Sequence, residues 1–332
     1  MFTQRTQEVP AEDRNPVMSD WPHPNASISG MRKLRFVPER GTLVEVTCRT
    51  IQGRFLLEPD SRLNPLILGV LGRAQRRYGM KICAFAFLAN HFHLLLDVND
   101  AWQLSRFMGY VNSNLAREAG RIAKWCDRFW ARRYQAVLVT QEEESQVSRL
   151  AYVLSQGTKE GLVRTPQDWP GVHCAAALAH GKDIEGVWID RTGAYKARQR
   201  SQPTELEKFR LVERVTLSPI PAWKNLTPES YRKNVADLIA QIEVAARQHD
   251  SSKSPKSERR TQRSPQFRPK LLKTSAAPFC HAAHRAARLS LVGAYRWFFS
   301  AFRAAAEKLA RGEPQPSFPL GSFPPGLPFV RG

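Results

Sequence analysis

Phe85-Ala86-Phe87-Leu88-Ala89-Asn90-His91-Phe92-His93-Leu94-Leu95-Leu96-Asp97 is the stretch on which the fold turns. It is apolar, with turn-like Ala89-Asn90 inside it, and reads as the facing ends of two strands, 81–88 and 91–98. Side chains alternate along a strand, so His91 and His93 leave one face and Phe92 enters a core on the other. Two imidazoles held side by side are half of a divalent-metal site. The plainer alternative is a pair of histidines on a solvated strand.

Upstream, residues 42–49 alternate. Leu43, Glu45, Thr47 and Arg49 share one face, and Thr42, Val44, Val46 and Cys48 the other, as in a half-buried strand. Residues 64–78 and 102–121 read as helices, and 134–140 as a fourth strand. Strand, helix, strand, strand, helix, strand predicts an α+β, ferredoxin-like antiparallel sheet with helices on one face. The histidines emerge from the other face, open on the side away from the two helices, and the helix that follows the fourth strand is expected to pack across or beside it. Next, Gln141-Glu142-Glu143-Glu144-Ser145 resembles a helix start, with acidic residues at the amino end. Val147, Leu150, Ala151 and Leu154 follow at helical spacing. Tyr152 and Gln156 are four apart, which stacks a hydroxyl nucleophile and an amide oxygen on one helix face.

Residues 31–182 resemble the HUH single-tyrosine transposases, the IS200-like and REP-associated (repetitive extragenic palindrome) tyrosine transposases. Asn90-His91-Phe92-His93 is similar to the family's Asn-His-hydrophobic-His block. Phe129-Trp130-Ala131-Arg132-Arg133-Tyr134 resembles its aromatic-basic lead into the fourth strand, Tyr152 to Val163 its tyrosine helix and exit, and Trp169-Pro170 its usual end. One departure is visible. Gln156-Gly157 stands where many REP-associated relatives have Asn-Pro, and glutamine there is similar to the insertion-sequence branch.

The resemblance implies a metal-assisted endonuclease and strand transferase acting on single-stranded DNA hairpins. In that reading His91, His93 and Gln156 hold Mg²⁺ or Mn²⁺, and Tyr152 forms a 5′-phosphotyrosine link. Candidate DNA contacts are Arg49, Arg54, Arg132, Arg133 and Lys159 to phosphates, with Trp130 and Tyr134 as base-stacking rings. Glu45 is a candidate neighbour of the site, and no general base is evident. Insertion-sequence relatives act as dimers that share active sites, so a homodimer is the expected assembly. A domesticated hairpin-binding regulator without transposition, or an RNA-hairpin protein on a similar sheet, are the competing readings.

Bulk composition agrees with a nucleic-acid partner. The chain has 332 residues, 42% of them hydrophobic, and a formal charge of +20, which favours a polyanion. Nothing reads as a membrane span or secretion signal. Five scattered cysteines make no disulfide framework, which points to a reducing cytoplasmic setting at the nucleoid. Residues 1–30 read as disordered, 31–182 as the transposase-like domain, and 183–332 as a helical extension with a basic linker at about 251–273. Helices are expected over 228–249 and 281–311, and an extended tail over 314–329. Cys280, His281 and His284 lie close in sequence but lack a second ligand pair, and read as incidental.

Overall fold

The strand pair around the two histidines forms at the expected residues. In the computed structural model, which describes residues 35–200, 205–249, 266, 267, 269, 278–313 and 315–325, β2 is Lys81–Leu88 and β3 is His91–Val98. They pair antiparallel, with Leu88 opposite His91 and Ala86 opposite His93. β1 (Thr42–Arg49) pairs with the far side of β3, and β4 (Gln135–Val139) pairs with β1, both antiparallel. The order β2-β3-β1-β4 is that of the ferredoxin-like sheet. A fifth, two-residue strand, β7 (Cys280–His281), adds parallel to β4.

Parity separates the two faces. Cys48, on the face of Phe92, accepts a long contact from Asn112 of α2 (Ala101–Ala123). α2 packs beside α1 (Leu63–Tyr78), and the buried sides of both helices share the sheet's core. The opposite face, left open by α1 and α2, is covered over most of its length by the helix after β4. α3 (Glu143–Leu154) lies across β2, β3 and β4 and buries Leu150, Val153 and Leu154 there. The physical reason is in β2 and β3 themselves: Ala84, Ala86 and Leu95 are apolar on that face too, so leaving it in water would forfeit their burial.

The outer edge of β2 is also occupied. Phe87 N–H donates to the Val172 carbonyl, Cys174 N–H to the Phe85 carbonyl, and Ser218 N–H to the Ile82 carbonyl. Trp169 is buried and its indole N–H bonds the Phe87 carbonyl, so the segment at Trp169-Pro170 seals an edge that would otherwise invite pairing with another chain.

Residues beyond 183, expected as an extension, pack on the same body. β5 (Ile184–Ile189) and β6 (Arg210–Val215) form a two-stranded antiparallel sheet seated on α1. Gly69 of α1 and Gly186 of β5 allow the approach: a Cβ on Gly69 would lie 2.1 Å from the Val187 carbonyl oxygen. Gly69→Ala therefore sets overpacking of about 1–3 kcal/mol or more against the roughly 1 kcal/mol that alanine gains over glycine in a helix. Backbone cannot swing aside, so the clash wins. A loss of about 2 kcal/mol is expected in urea unfolding, and an unchanged midpoint would place β5 elsewhere.

α4 (Ala175–His180), α5 (Arg191–Gln199), α6 (Pro228–His249) and α7 (Arg285–Ala310) complete the described helices. α7 buries Tyr295 and Phe298 against Phe36, while Trp297 is exposed. The tail segment 315–325 lies along the body, with Phe323 against Trp102. Residues 1–30 and all of the linker 251–273 except 266, 267 and 269 lie outside the described residues. Among the described residues no helix is long and apolar enough to cross a membrane.

Candidate active site

His91 and His93 leave the α3 face of β3 side by side, with ring centroids 5.1 Å apart. Each ring is fixed through Nδ1. His93 Nδ1 donates to Glu45 Oε1 at 2.8 Å, with Thr47 Oγ1 at 3.2 Å, and both partners come from β1 directly alongside. His91 Nδ1 donates to Asn90 Oδ1 at 2.7 Å. Asn90 is itself anchored: its amide donates to the Gly53 carbonyl, and its own carbonyl accepts from Thr50 N–H and the Thr50 hydroxyl. With each Nδ1 hydrogen-bonded to an oxygen, Nε2 is the nitrogen each ring leaves for a ligand. That arrangement suits a metal, and a carboxylate behind a ligating histidine is a common way to orient one.

The electrostatics agree. Burial, the neighbouring His93 and the cations Arg49 and Lys159 hold His91 well below the ordinary imidazole range, so it is neutral at physiological pH. Glu45 is buried, which by itself would raise its pKa. The His93 hydrogen bond and the charges of Arg149 and Lys159 outweigh this, and the carboxyl stays below the ordinary range and ionised.

α3 brings the phenol to this pair within one chain. The Tyr152 ring stands 5.5 Å from the His93 ring, edge to face, and the residue is 37% exposed. Two cations approach the same ring: Arg149, one turn earlier, at 4.7 Å and Lys159 at 3.7 Å from its centroid. Lys159 gets there because the chain turns back after α3. Gly157 adopts φ +87°, and Lys159 N–H bonds the Ser155 carbonyl.

Gln156 differs from expectation. α3 ends at Leu154, so Gln156 lies in the turn beyond it and not on the helix face. Gly157, the next residue, has φ +87°, so the chain cannot resume the helix through it. The side chain is buried and turns back along α3, its amide N–H donating to the Tyr152 backbone carbonyl at 2.9 Å. The amide nitrogen is thereby committed, and the carbonyl oxygen is the end left for a ligand. Among the described residues no three of His, Cys, Asp and Glu are grouped as a metal set. A cation here would take two imidazoles, the Gln156 oxygen and substrate oxygens.

The candidate DNA contacts divide. Arg49, Arg132, Arg133 and Lys159 are exposed, and Arg49 sits opposite His91 on β1. Arg54 and Tyr134 are buried, and Trp130 is half-buried against the core. Arg54 is buried, its guanidinium over Trp125 and its Nη1 on the Gln266 carbonyl. Trp130 packs against Phe92 and Phe129 on the far side of the sheet, with its indole N–H on the Asn112 carbonyl. Tyr134 is buried, and burial pushes its phenol up despite nearby Arg35. For the two rings the reason is shared: the aromatic-basic run packs against the helix side of the sheet, and its large rings close that corner of the core. Arg149 joins the site without having been expected there, although its position three residues before Tyr152 on α3 is a usable signal.

Residues 56–156 match the sequence profile of the family described as transposase, IS200 like. Among solved structures the chain is similar to a REP-associated tyrosine transposase bound to a REP hairpin, at 17% identity and a TM-score of 0.38, over 46% of this chain and 87% of that one. It is also similar to a candidate transposase from Deinococcus radiodurans R1, at 16% identity and a TM-score of 0.27, over 37% of this chain and 96% of that one. No curated protein matches the sequence. The segment that matches the IS200-like transposase family, residues 56–156, contains His91, His93, Tyr152 and Gln156.

Proposed function

We propose that this chain cleaves and rejoins single-stranded DNA at hairpins, with Tyr152 as the nucleophile. The observation that carries the reading is the approach of the Tyr152 ring to His93 inside a single chain, 5.5 Å between centroids. A divalent cation, Mn²⁺ or Mg²⁺, held by Nε2 of His91 and His93 and by the Gln156 oxygen, would polarise the scissile phosphate and stabilise its developing charge. Two imidazoles favour the softer Mn²⁺ of the two.

The chain's own residues do the rest. Arg49, Arg132 and Arg133 hold the flanking phosphates and fix the strand's register. The Tyr152 oxygen attacks phosphorus and its proton passes to solvent; the phosphorus–O3′ bond breaks, and the departing 3′ oxygen takes a proton to become a hydroxyl. A phenol is scarcely ionised at neutral pH. Arg149 and Lys159, both against the ring, hold it beside the histidine pair. The 5′-phosphotyrosine keeps one phosphodiester's worth of bond energy, so the 3′ hydroxyl of the same or another strand can reverse the step without an external energy source.

The test is incubation with a panel of hairpin-bearing single strands and Mn²⁺, read as a protein–DNA adduct that survives denaturation. Adduct on hairpin substrates, lost with a chelator, is the expected result. Salt-sensitive binding with no adduct across the panel would leave a hairpin-binding protein in place of an enzyme.

A further inference from the structure

Arg149 touches three parts of the site at once. Its Nη1 donates to Glu45 Oε2 at 2.9 Å, the carboxylate whose other oxygen holds His93. Its carbon centre lies 4.7 Å from the Tyr152 ring. Its Nη2 donates to His281 Nδ1 at 2.7 Å, a contact spanning 132 residues. The side chain is only 14% exposed.

His281 is itself held in place. Its residue pairs with Val139 in the β7–β4 ladder, and its carbonyl accepts from Thr140 N–H and from the Thr140 hydroxyl. Two residues on, Ala283 N–H donates to Ser145 Oγ at the start of α3. Burial and the Arg149 charge lower the His281 pKa, against the pull of Glu45, so the ring is neutral and Nδ1 can accept.

We infer that Arg149 is a positioning residue that sets the nucleophile Tyr152 and the orienting carboxylate of His93 in one register, and that β7 completes the catalytic site by presenting His281 to lock Arg149. The inference rests on the proposed roles of His93 and Tyr152. A planar guanidinium can serve Glu45, His281 and the Tyr152 ring together, because its two terminal nitrogens diverge in one plane while its face stays free. An ammonium cannot. A buried ion pair kept for stability alone would need neither the ring contact nor the neutral acceptor from a strand more than a hundred residues away. The region after the linker is thereby part of the catalytic apparatus.

The full-length chain tests this with His281→Ala, His281→Asn and Arg149→Lys, each checked for a wild-type-like melt. His281→Ala removes no charge, which keeps the ion pair with Glu45 intact. Three readouts are used: the ¹⁵N spectrum of the His93 imidazole in metal-free protein, Mn²⁺ binding by electron paramagnetic resonance, and the rate of hairpin adduct formation. His281→Ala is expected to blur the single Nδ1–H tautomer of His93 and to weaken Mn²⁺ binding and adduct formation about 10-fold, and Arg149→Lys about 10–100-fold. Hairpin affinity stays within about twofold. His281→Asn, which keeps an acceptor for Nη2, recovers most of the loss. A His281→Ala chain with wild-type spectrum and Mn²⁺ affinity would overturn the inference, as would a His281→Asn chain as impaired as His281→Ala. The spectrum and the Mn²⁺ isotherm do not depend on cleavage. Wild-type protein that forms no adduct would sink the proposed reaction alone.

Discussion

Tyr152→Phe abolishes the covalent adduct, at least ~10³-fold below wild type, and leaves hairpin affinity within about twofold. The substitution removes only the oxygen. The ring stays between Arg149, Lys159 and His93, so the cation contacts and the edge-to-face packing persist. The residue is substantially exposed and no neighbour depends on its hydroxyl in the described contacts, so the melting temperature should hardly move. Gel-resolved adduct, filter binding and a thermal melt on the same preparation check all three. Residual adduct above a thousandth of wild type would mean that another nucleophile substitutes.

His91→Ala with His93→Ala is the second large effect. Removing both imidazoles deletes the two nitrogen donors, and Mn²⁺-dependent cleavage should fall by about 10³-fold, the equivalent of several kcal/mol of charge stabilisation. The two single variants should differ in stability. His93→Ala strips Glu45 of one of its two buried partners, and only Arg149 remains. A cost of about 2–4 kcal/mol is expected in denaturant unfolding, because breaking one partner from a buried charged group leaves its desolvation uncompensated. His91→Ala, which gives up a hydrogen bond to neutral Asn90 and strands no buried charge, should cost less. Mixing the double-alanine chain with Tyr152→Phe should restore no adduct, because nucleophile and imidazoles already meet in one chain. Recovery on mixing would show that the site is shared between copies.

Much of this is legible in the sequence for a simple reason. Parity along a strand is a hard constraint, so residue numbers alone put His91 and His93 on one face, and Glu45 and Thr47 on one face of the neighbouring strand; β2 and β3 end where expected. The family segment carries the tyrosine and glutamine as well. What stays hidden depends on distant partners or on a single backbone angle. β7 is two residues long and exists only because β4 and α3 hold it. β5 carries Gly186 in mid-strand, which weakens its signal in the sequence, yet the missing side chain is what admits α1. Gln156 lies in the turn past α3, and Gly157 at φ +87° keeps the chain from resuming the helix. Trp130 and Tyr134 read equally well as platforms or as core; packing buries Tyr134 and lays Trp130 half-buried against the core.

The most direct measurement is the chemical identity of the link. Hairpin DNA is incubated with the wild-type chain and Mn²⁺, the adduct is digested with nuclease and trypsin, and the modified peptide is sequenced by mass spectrometry. Trypsin cuts after Arg149 and Lys159, so the nucleotide should appear on the peptide of residues 150–159, bonded through Tyr152. A nucleotide on any other residue, or folded Mn²⁺-binding protein that yields no linked peptide from any hairpin, would contradict the account.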